Sequence, residues 1–261
     1  MNNLFVYSFY TFKIINNIGH VKTIFDNFLR EKYIKGTILV ANEGINGTIS
    51  GSKKDLDEFI ELLKDSIKLK TLAVKVNKTN IHPFNRMKVR IKHEIVSLGQ
   101  GSIDVCKYRG KLVNPETWNS LISDKNTKVI DVRNEFEISI GKFAGSINPE
   151  TKSFRHFPSA IKKLNINKND TIAMYCTGGI RCEKASAYLK LKGYKNVYQL
   201  EGGILNYLEY KQKKKGSLWK GECFVFDKRV TINKHLARGK YKQCYGCRST
   251  ITKKDLYDSC K

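Results

Sequence analysis

One short loop carries the residue types of a nucleophilic site. It reads Cys176-Thr177-Gly178-Gly179-Ile180-Arg181. Residues 170–175 before it, apolar from Ile172 onward, predict a buried strand, and residues 182–192 after it predict a helix that Gly193 ends. Open α/β sheets bind ligands at the carboxyl ends of their strands, so this position suits a reactive site.

The glycines give the loop a way to hold a negative charge. Gly178 and Gly179 let the backbone curl so that successive N–H groups point inward, and such a nest beside a helix N-terminus binds an anion. The anion can be the Cys176 thiolate itself, so we expect a lowered pKa and a nucleophile at neutral pH. Arg181 can add charge-assisted donors. A buried cysteine before a glycine turn is the plain alternative, which the strand–loop–helix context disfavours.

The other cysteines allow several interpretations. Cys182 could resolve an oxidised or persulfidated Cys176, or it could be a small buried helix residue, and the common burial of free cysteine favours the second. Cys244 and Cys247 have zinc-knuckle spacing, but a structural zinc needs four ligands. Further candidates are Cys223, His235 and Cys260, with no second close pair among them. The pattern falls short of a complete zinc site, so we assign no metal ligands.

The first part of the chain predicts a ferredoxin-like βαββαβ domain over residues 1–95. Strands are expected at 5–10, 37–41, 48–50 and 72–76, with helices at 21–33 and after Ser52, which caps the second helix together with Asp55. Residues 42–47 are rich in Gly and Asn, as in a hairpin loop. An additional strand at 87–91 leads to a linker over residues 96–111.

Residues 112–212 alternate predicted strands and helices, which favours a mainly parallel sheet with helices on both faces. The strands are expected at 128–132, 170–175 and 196–200, and the helices at 115–122, 134–140, 157–164, 182–192 and 204–211. Residues 213–261 have little periodicity and predict an extended, cysteine-bearing tail that packs on the other domains.

The charge balance points to an anionic partner. The formal net charge is +24, which suggests RNA first and an anionic membrane second, although a lysine-rich surface from A/T-rich coding could also produce it. No apolar run approaches a membrane span, and the start lacks a signal-peptide pattern. We therefore expect a cytoplasmic protein whose cysteines are thiols or ligands rather than disulfides. Phosphate contacts are predicted for Arg86, Lys88, Arg90, Lys213 and Lys214.

Several motifs together resemble a rhodanese domain. They are Asp131-Val132-Arg133, Gly145-Ser146-Ile147-Asn148-Pro149, the loop from Cys176 to Arg181, and Gly202-Gly203-Ile204. The Cys-x4-Arg spacing is that of the sulfurtransferase-type loop, whereas the related phosphatases use one residue more. The resemblance implies that Cys176 is the catalytic position and carries a persulfide. It also implies that the loop residues cradle the bound group and that Asp131 and Arg133 brace the site.

Over essentially the whole chain the sequence resembles the bacterial tRNA uridine(34) hydroxylase family. The residues that carry this resemblance are Ala41-Asn42-Glu43-Gly44-Ile45-Asn46-Gly47-Thr48, Met87-Lys88-Val89-Arg90, Glu94-Ile95-Val96, Cys176 to Glu183, and Phe224-Val225-Phe226-Asp227-Lys228-Arg229-Val230. It implies conversion of uridine to 5-hydroxyuridine at the wobble position of tRNA, with molecular oxygen as co-substrate. In that family a second Cys-x-x-Cys often follows the first, and this sequence ends at Lys261 without it, which argues against zinc.

Two enzymatic hypotheses follow for Cys176. In the first, its thiolate or persulfide serves oxidation of a tRNA uridine. A thiolate could add to C6 of uracil and make C5 electron-rich, but no flavin or iron pattern identifies the oxidant. In the second, the protein is a sulfurtransferase that moves sulfur from thiosulfate or a persulfide to a small acceptor or carrier. An RNA-binding module with an inactive rhodanese domain is the non-enzymatic alternative, and the intact Cys176 and Arg181 argue against it.

Overall fold

The computed structural model describes residues 4–80, 82–214, 216–244 and 250–251. The chain divides into two compact units, Met1–Ser97 and Leu98–Lys261.

The first unit is a helix-backed sheet with the predicted βαββαβ order. Its described elements are β1 (Leu4–Phe12), α1 (Ile18–Arg30), β2 (Lys35–Ala41), β3 (Gly44–Ser52), α2 (Lys53–Ser66), β4 (Val74–Thr79) and β5 (Met87–Ile91). In the described residues the sheet order is β4-β1-β3-β2-β5, with β5 parallel to β2 and the other pairs antiparallel. The ferredoxin-like expectation is confirmed, and the strand predicted at 87–91 forms one edge of the sheet.

Both helices of this unit bury one apolar face against the sheet. In α1 the buried residues are Val21, Phe25 and Leu29, which recur at helical spacing. In α2 they are the predicted Leu56, Phe59, Ile60 and Leu63. The Ser52 hydroxyl accepts the Asp55 backbone N–H at 3.1 Å, so the predicted N-cap is confirmed.

The hairpin between β2 and β3 is tighter than the sequence indicates. We expect residues 42–47 to be a loop, but β3 begins at Gly44 and only Asn42 and Glu43 lie between the strands. Gly44 has φ of +152°, and a Cβ there would lie 2.0 Å from the Thr11 carbonyl oxygen. Glycine therefore allows β3 to approach β1 closely at this position. The Gly- and Asn-rich composition of residues 42–47 by itself indicates a loop.

The second unit contains the predicted parallel sheet. Its described helices and strands are α3 (Val105–Tyr108), β6 (Lys111–Val113), α4 (Pro115–Ser123), β7 (Lys128–Asp131), α5 (Glu135–Ile138), β8 (Gly141–Phe143), α6 (Phe157–Lys163), β9 (Thr171–Tyr175), α7 (Ile180–Leu191), β10 (Asn196–Leu200) and α8 (Gly203–Gln212). In the described residues β6, β10, β9 and β7 lie side by side in that order, and all are parallel. Helix α7 starts at Ile180, two residues before the predicted start, because Gly179 forms its N-cap.

The segment after α8 is part of the second unit's core. It forms the short strands β11 (Trp219–Gly221), β12 (Cys223–Phe224), β13 (Thr231–Ile232), β14 (Lys242–Gln243) and β15 (Thr250–Ile251). Strand β11 pairs with β8, and the Trp219 ring packs edge-on against Phe143 at 5.2 Å. Cys223, Val225 and Ile232 are buried in the same apolar cluster. The predicted tail therefore completes the core that surrounds β9.

Within the described ranges, none of the helices has the length and apolar character needed to cross a membrane.

Candidate active site

Cys176 lies directly after β9, at the carboxyl end of the parallel sheet. It is 1% exposed, and its Sγ accepts the backbone N–H of Gly179 at 3.2 Å. Gly179 has φ of +102°, a conformation that favours glycine, whereas Gly178 does not adopt positive φ and a Cβ there would meet no atom within 4 Å. The backbone angle therefore favours glycine at position 179, whereas neither the backbone angle nor the available space requires it at position 178.

The surroundings of Cys176 stabilise its thiolate. Burial by itself raises the pKa of Cys176, but a hydrogen bond from the Cys182 thiol, the positive charge of Arg181 and backbone N–H groups of the loop outweigh it and lower the pKa from 9.0 to about 6. Burial and the neighbouring sulfur raise the pKa of Cys182 well above its ordinary value. Cys182 is therefore a neutral thiol donor to an ionised Cys176, a role that the sequence did not suggest.

Arg181 is held by Glu137, which the sequence alone does not single out. Its two terminal nitrogens donate to the two carboxylate oxygens of Glu137 at 2.6 and 2.8 Å, and one of them also reaches the Thr177 hydroxyl at 3.3 Å. Burial alone lowers the pKa of Arg181, but the charge and hydrogen bonds of Glu137 and the negative charges of Cys176 and Asp131 together raise it by more, so Arg181 stays charged. Arg181 therefore acts on Cys176 through its positive charge, since its two terminal nitrogens already donate hydrogen bonds to Glu137.

Glu137 is also part of a helix cap. It is the third residue of α5, and its carboxylate accepts the Asn134 backbone N–H at 3.1 Å. Burial raises the pKa of Glu137, but the charge and hydrogen bonds of Arg181, the charge of Arg133 and the Asn134 N–H together lower it by more, so the carboxylate is ionised. The signal that could have identified Glu137 is the Asn-x-x-Glu capping pattern of residues 134–137.

Asp131 and Arg133 form a second buried ion pair, close enough for the Asp131 charge to act on Arg181. The guanidinium of Arg133 donates to both carboxylate oxygens of Asp131, at 2.9 and 2.6 Å, and to the Gly141 carbonyl at 2.6 Å. Its Cζ lies 5.2 Å from the centre of the Trp219 ring. The pair thus ties β7 to β8 and to the segment after α8, and its predicted bracing role remains a prediction.

Helix α8 supports the loop from behind. The backbone N–H groups of Ile204 and Leu205 donate to the carbonyls of Cys176 and Thr177 at 2.9 and 3.1 Å. Gly203 has φ of +63°, and a Cβ there would lie 2.4 Å from the Cys176 oxygen. Only glycine allows this approach, which explains the glycine at position 203, the first residue of α8.

Two residues after α8 reach the charged groups of the site. Cys223 is fully buried near Arg133, and burial raises its pKa to about 12, so it is a neutral thiol. The Phe226 ring lies 6.0 Å from the Arg181 Cζ. Phe226 belongs to the motif of residues 224–230, and its sequence context alone indicates no role for it.

The predicted RNA contacts lie on two surfaces, one in each unit. Arg86 and Arg90 are exposed and Lys88 is half-buried. The charge of Arg86, then partial burial, then the charge of Arg90 lower the pKa of Lys88, so the three cations are close to each other. Lys213 and Lys214 are exposed after α8, but Lys214 already has intrachain partners, since it lies 3.8 Å from Glu116 and 5.1 Å from the Tyr210 ring centre.

The candidate zinc ligands do not form a metal site within the described part of the chain. Among the described residues no group of three or more His, Cys, Asp or Glu side chains could hold a metal ion. Cys244 is buried, and Cys247 lies outside the described residues.

Comparisons with known proteins cover most of the chain. The UPF0176 acylphosphatase like domain matches residues 4–95, and the rhodanese-like domain matches residues 114–210. A tRNA uridine(34) hydroxylase from Pelagibacter ubique (strain HTCC1062) is 46% identical over 251 residues, which cover 96% of this chain and 82% of the relative.

Solved structures match part of the chain. A rhodanese-related protein from Thermoplasma volcanium is 29% identical, with 38% of this chain and 92% of that chain covered and a TM-score of 0.33. A rhodanese-like domain protein from Staphylococcus aureus is 25% identical, with 37% and 90% covered and a TM-score of 0.31. Because the Pelagibacter relative is 46% identical over 96% of this chain, the chain belongs to the tRNA uridine(34) hydroxylase family.

Proposed function

We propose that this protein hydroxylates uridine 34 of tRNA to 5-hydroxyuridine and that Cys176 is its catalytic residue. The observation that carries the proposal is the buried thiolate of Cys176, whose pKa of about 6 keeps it ionised at neutral pH, in a chain with a hydroxylase relative of 46% identity. Residues 112–212 carry the chemistry in this proposal. Residues 1–95 and 213–261 contribute tRNA contacts, and the reaction takes place in the cytoplasm.

The thiolate gives a route to the carbon that is oxidised. Sulfur adds to C6 of uracil, which moves electron density onto C5; C5 takes one oxygen atom derived from O₂; loss of the C5 proton and of the thiolate then restores the double bond. In total, uridine, O₂, two electrons and two protons give 5-hydroxyuridine and water. The two electrons come from an external two-electron donor, and Cys176 is regenerated.

The burial of the Cys176 sulfur restricts how the uracil can reach it. Cys176 is 1% exposed, and the open cleft of about 480 Å³ in the same unit is lined by residues between Asn148 and Leu164 and by none of the loop residues. The uracil therefore has to leave its stack and be presented at the loop itself. A persulfide on Cys176 would place the reacting sulfur one S–S bond, about 2 Å, further out.

The test is nucleoside analysis of tRNA from a strain that lacks all other 5-hydroxyuridine synthesis. Cells expressing the full chain should contain 5-hydroxyuridine, and growth under ¹⁸O₂ should place the label in it. Cys176→Ser should abolish the nucleoside, whereas Cys106→Ser, at an exposed cysteine on α3, should not. Persistent 5-hydroxyuridine in the Cys176→Ser strain would exclude a catalytic Cys176. Rapid thiosulfate–cyanide turnover by a chain that leaves tRNA unmodified would instead assign sulfur transfer.

A further inference from the structure

Phe226 is a large aromatic side chain left open to solvent beside the cysteine loop. It is 66% exposed, although its neighbours Phe224 and Val225 are buried. Its ring centre lies 6.0 Å from the Cζ of Arg181, the last residue of the loop. A single exposed apolar side chain is common on protein surfaces. The informative feature of Phe226 is its position, because its ring lies at the end of the cysteine loop.

The ring is held in place by the turn between β12 and β13. Phe226 packs edge-on against Phe224 at 5.0 Å, and Phe224 packs edge-on against Phe136 at 5.1 Å. The Val225 N–H donates to the Val230 carbonyl at 2.9 Å, which closes the turn. The Asp227 carboxylate fixes the Arg229 guanidinium at 2.6 and 2.9 Å within the same turn. The aromatic face is therefore presented on a rigid support and loses little freedom when something covers it.

Nucleobases are the ligands that this surface suits. Single-stranded nucleic acids bind by stacking bases on aromatic side chains, and enzymes that react with a base take it out of its stack and hold it between such side chains. The net charge of +24 favours an anionic polymer as the partner. Arg181 is already committed to Glu137, so the ring rather than a free guanidinium is left to receive the base.

We propose that Phe226 stacks on the uracil of the tRNA substrate and so holds its C6 towards Cys176. This assignment rests on the proposed hydroxylation and names the group that positions its substrate. Phe226 is then a substrate-binding residue supplied by the segment after α8, whereas Cys176 comes from the parallel sheet.

Comparing the affinities of two anticodon stem-loops isolates the contact between Phe226 and the uracil. One RNA carries uridine at position 34 and the other an abasic site there, and each is titrated against the full-length chain. Loss of one stacked base weakens binding by about 5- to 150-fold. The unsubstituted chain should therefore prefer the uridine RNA by a factor in that range. Phe226→Leu should lose this preference and bind the abasic RNA as before, while Phe226→Tyr and Phe226→Trp should keep it.

Two controls separate stacking from a structural effect. Tyr33→Leu removes an aromatic ring of similar exposure, 68%, from the first unit and should leave the uridine preference unchanged. The pH midpoint for alkylation of Cys176 should stay near 6 in Phe226→Leu, which shows that the loop is intact. Equal binding of both RNAs by the unsubstituted chain, or an undiminished uridine preference in Phe226→Leu, would overturn the proposal.

The same variants keep this proposal distinct from the hydroxylase function. If the unsubstituted chain forms 5-hydroxyuridine in cells and Phe226→Leu forms as much, stacking is wrong and hydroxylation stands. If the unsubstituted chain forms none, the hydroxylase function itself fails. The supporting outcome is a reduced level in Phe226→Leu that Phe226→Tyr restores.

Discussion

Glu137 connects the two charged parts of the site. Its carboxylate pairs with Arg181 at the end of the cysteine loop, and its backbone carbonyl accepts Arg133 at 3.2 Å. The Glu137–Arg181 pair is almost fully buried, so each charge is stabilised by the other instead of by water. The lowered pKa of Glu137 means that its stabilising effect is present at neutral pH and is lost as the pH falls into the acid range.

Glu137→Gln should strongly destabilise the second unit. It leaves Arg181 buried without a counter-charge, and breaking a buried pair in this way costs about 3–5 kcal/mol. Both tryptophans of the chain, Trp118 and Trp219, lie in this unit, so their fluorescence during urea unfolding reports on it. Glu135→Gln changes an exposed carboxylate on the same helix and should stay within about 0.5 kcal/mol. Equal midpoints for the two variants would contradict the role given to Glu137.

Cys182→Ala should make Cys176 less acidic. The Cys182 thiol is the first of the groups that lower the pKa of Cys176 against its burial, so its removal should move the ionisation upward from about 6. The measurement is the rate of iodoacetamide alkylation at the Cys176 peptide as a function of pH, read by mass spectrometry. The rate rises with pH because the thiolate is the nucleophile. Cys182→Ser keeps a donor and should shift the midpoint less; an unchanged midpoint in Cys182→Ala would remove Cys182 from the site's electrostatics.

At the scale of elements, the loop is shaped by a strand before it and by two helices. Strand β9 delivers Cys176, the first turn of α7 supplies Gly179 and Arg181, and the start of α8 binds the loop carbonyls. Two glycines here meet a specific structural need, one a backbone angle and the other a close contact. Gly179 supplies the positive φ at the N-cap of α7, and Gly203 allows α8 to approach the loop.

Gly203→Ala should lower the stability of the second unit more than Gly193→Ala does. Both Gly203 and Gly193 have positive φ, at +63° and +87°, but a Cβ at Gly193 meets no atom within 4 Å. Gly193→Ala should therefore cost only the conformational strain, about 1–2 kcal/mol. Gly203→Ala should add about 1–3 kcal/mol for the clash with the Cys176 and Thr177 carbonyls. Urea unfolding measures both, and indistinguishable stabilities would show that α8 does not constrain the loop.

At the scale of the whole molecule, the excess of positive charge should set the affinity for tRNA. Each phosphate that a cation neutralises on a single strand contributes about 0.7 to the slope of log K against log salt. A triple variant of Arg86, Lys88 and Arg90 to alanine should reduce the slope by about 2 if all three contact phosphate. The same number of charges removed at Lys53, Lys54 and Lys70, which are exposed in the same unit, should change it less. Equal slopes for both triple variants would show that the net positive charge, and not a defined surface at Arg86, Lys88 and Arg90, sets the affinity for tRNA.

The sequence alone determines the local structure and the identity of the nucleophile. The apolar spacing of Leu56, Phe59, Ile60 and Leu63 fixes the buried face of α2, and Ser52 marks its start. The alternation of strands and helices after residue 112 specifies a parallel sheet, whose carboxyl edge is where Cys176 must lie. These features depend on neighbours within a few residues along the chain, so periodicity and capping patterns reveal them.

Tertiary structure alone decides which distant side chains meet at Cys176. Glu137 lies 44 residues before Arg181, and Phe226 comes from a segment with no periodic pattern that the sequence presents only as a tail. The hairpin at Gly44 and the contact at Gly203 depend likewise on a backbone that approaches from another element. Local patterns reveal which face of an element is buried but not what it is buried against, because packing couples residues across the fold rather than along the chain. The sequence therefore determines the nucleophile, while the folded chain determines its charge state and the groups that surround it.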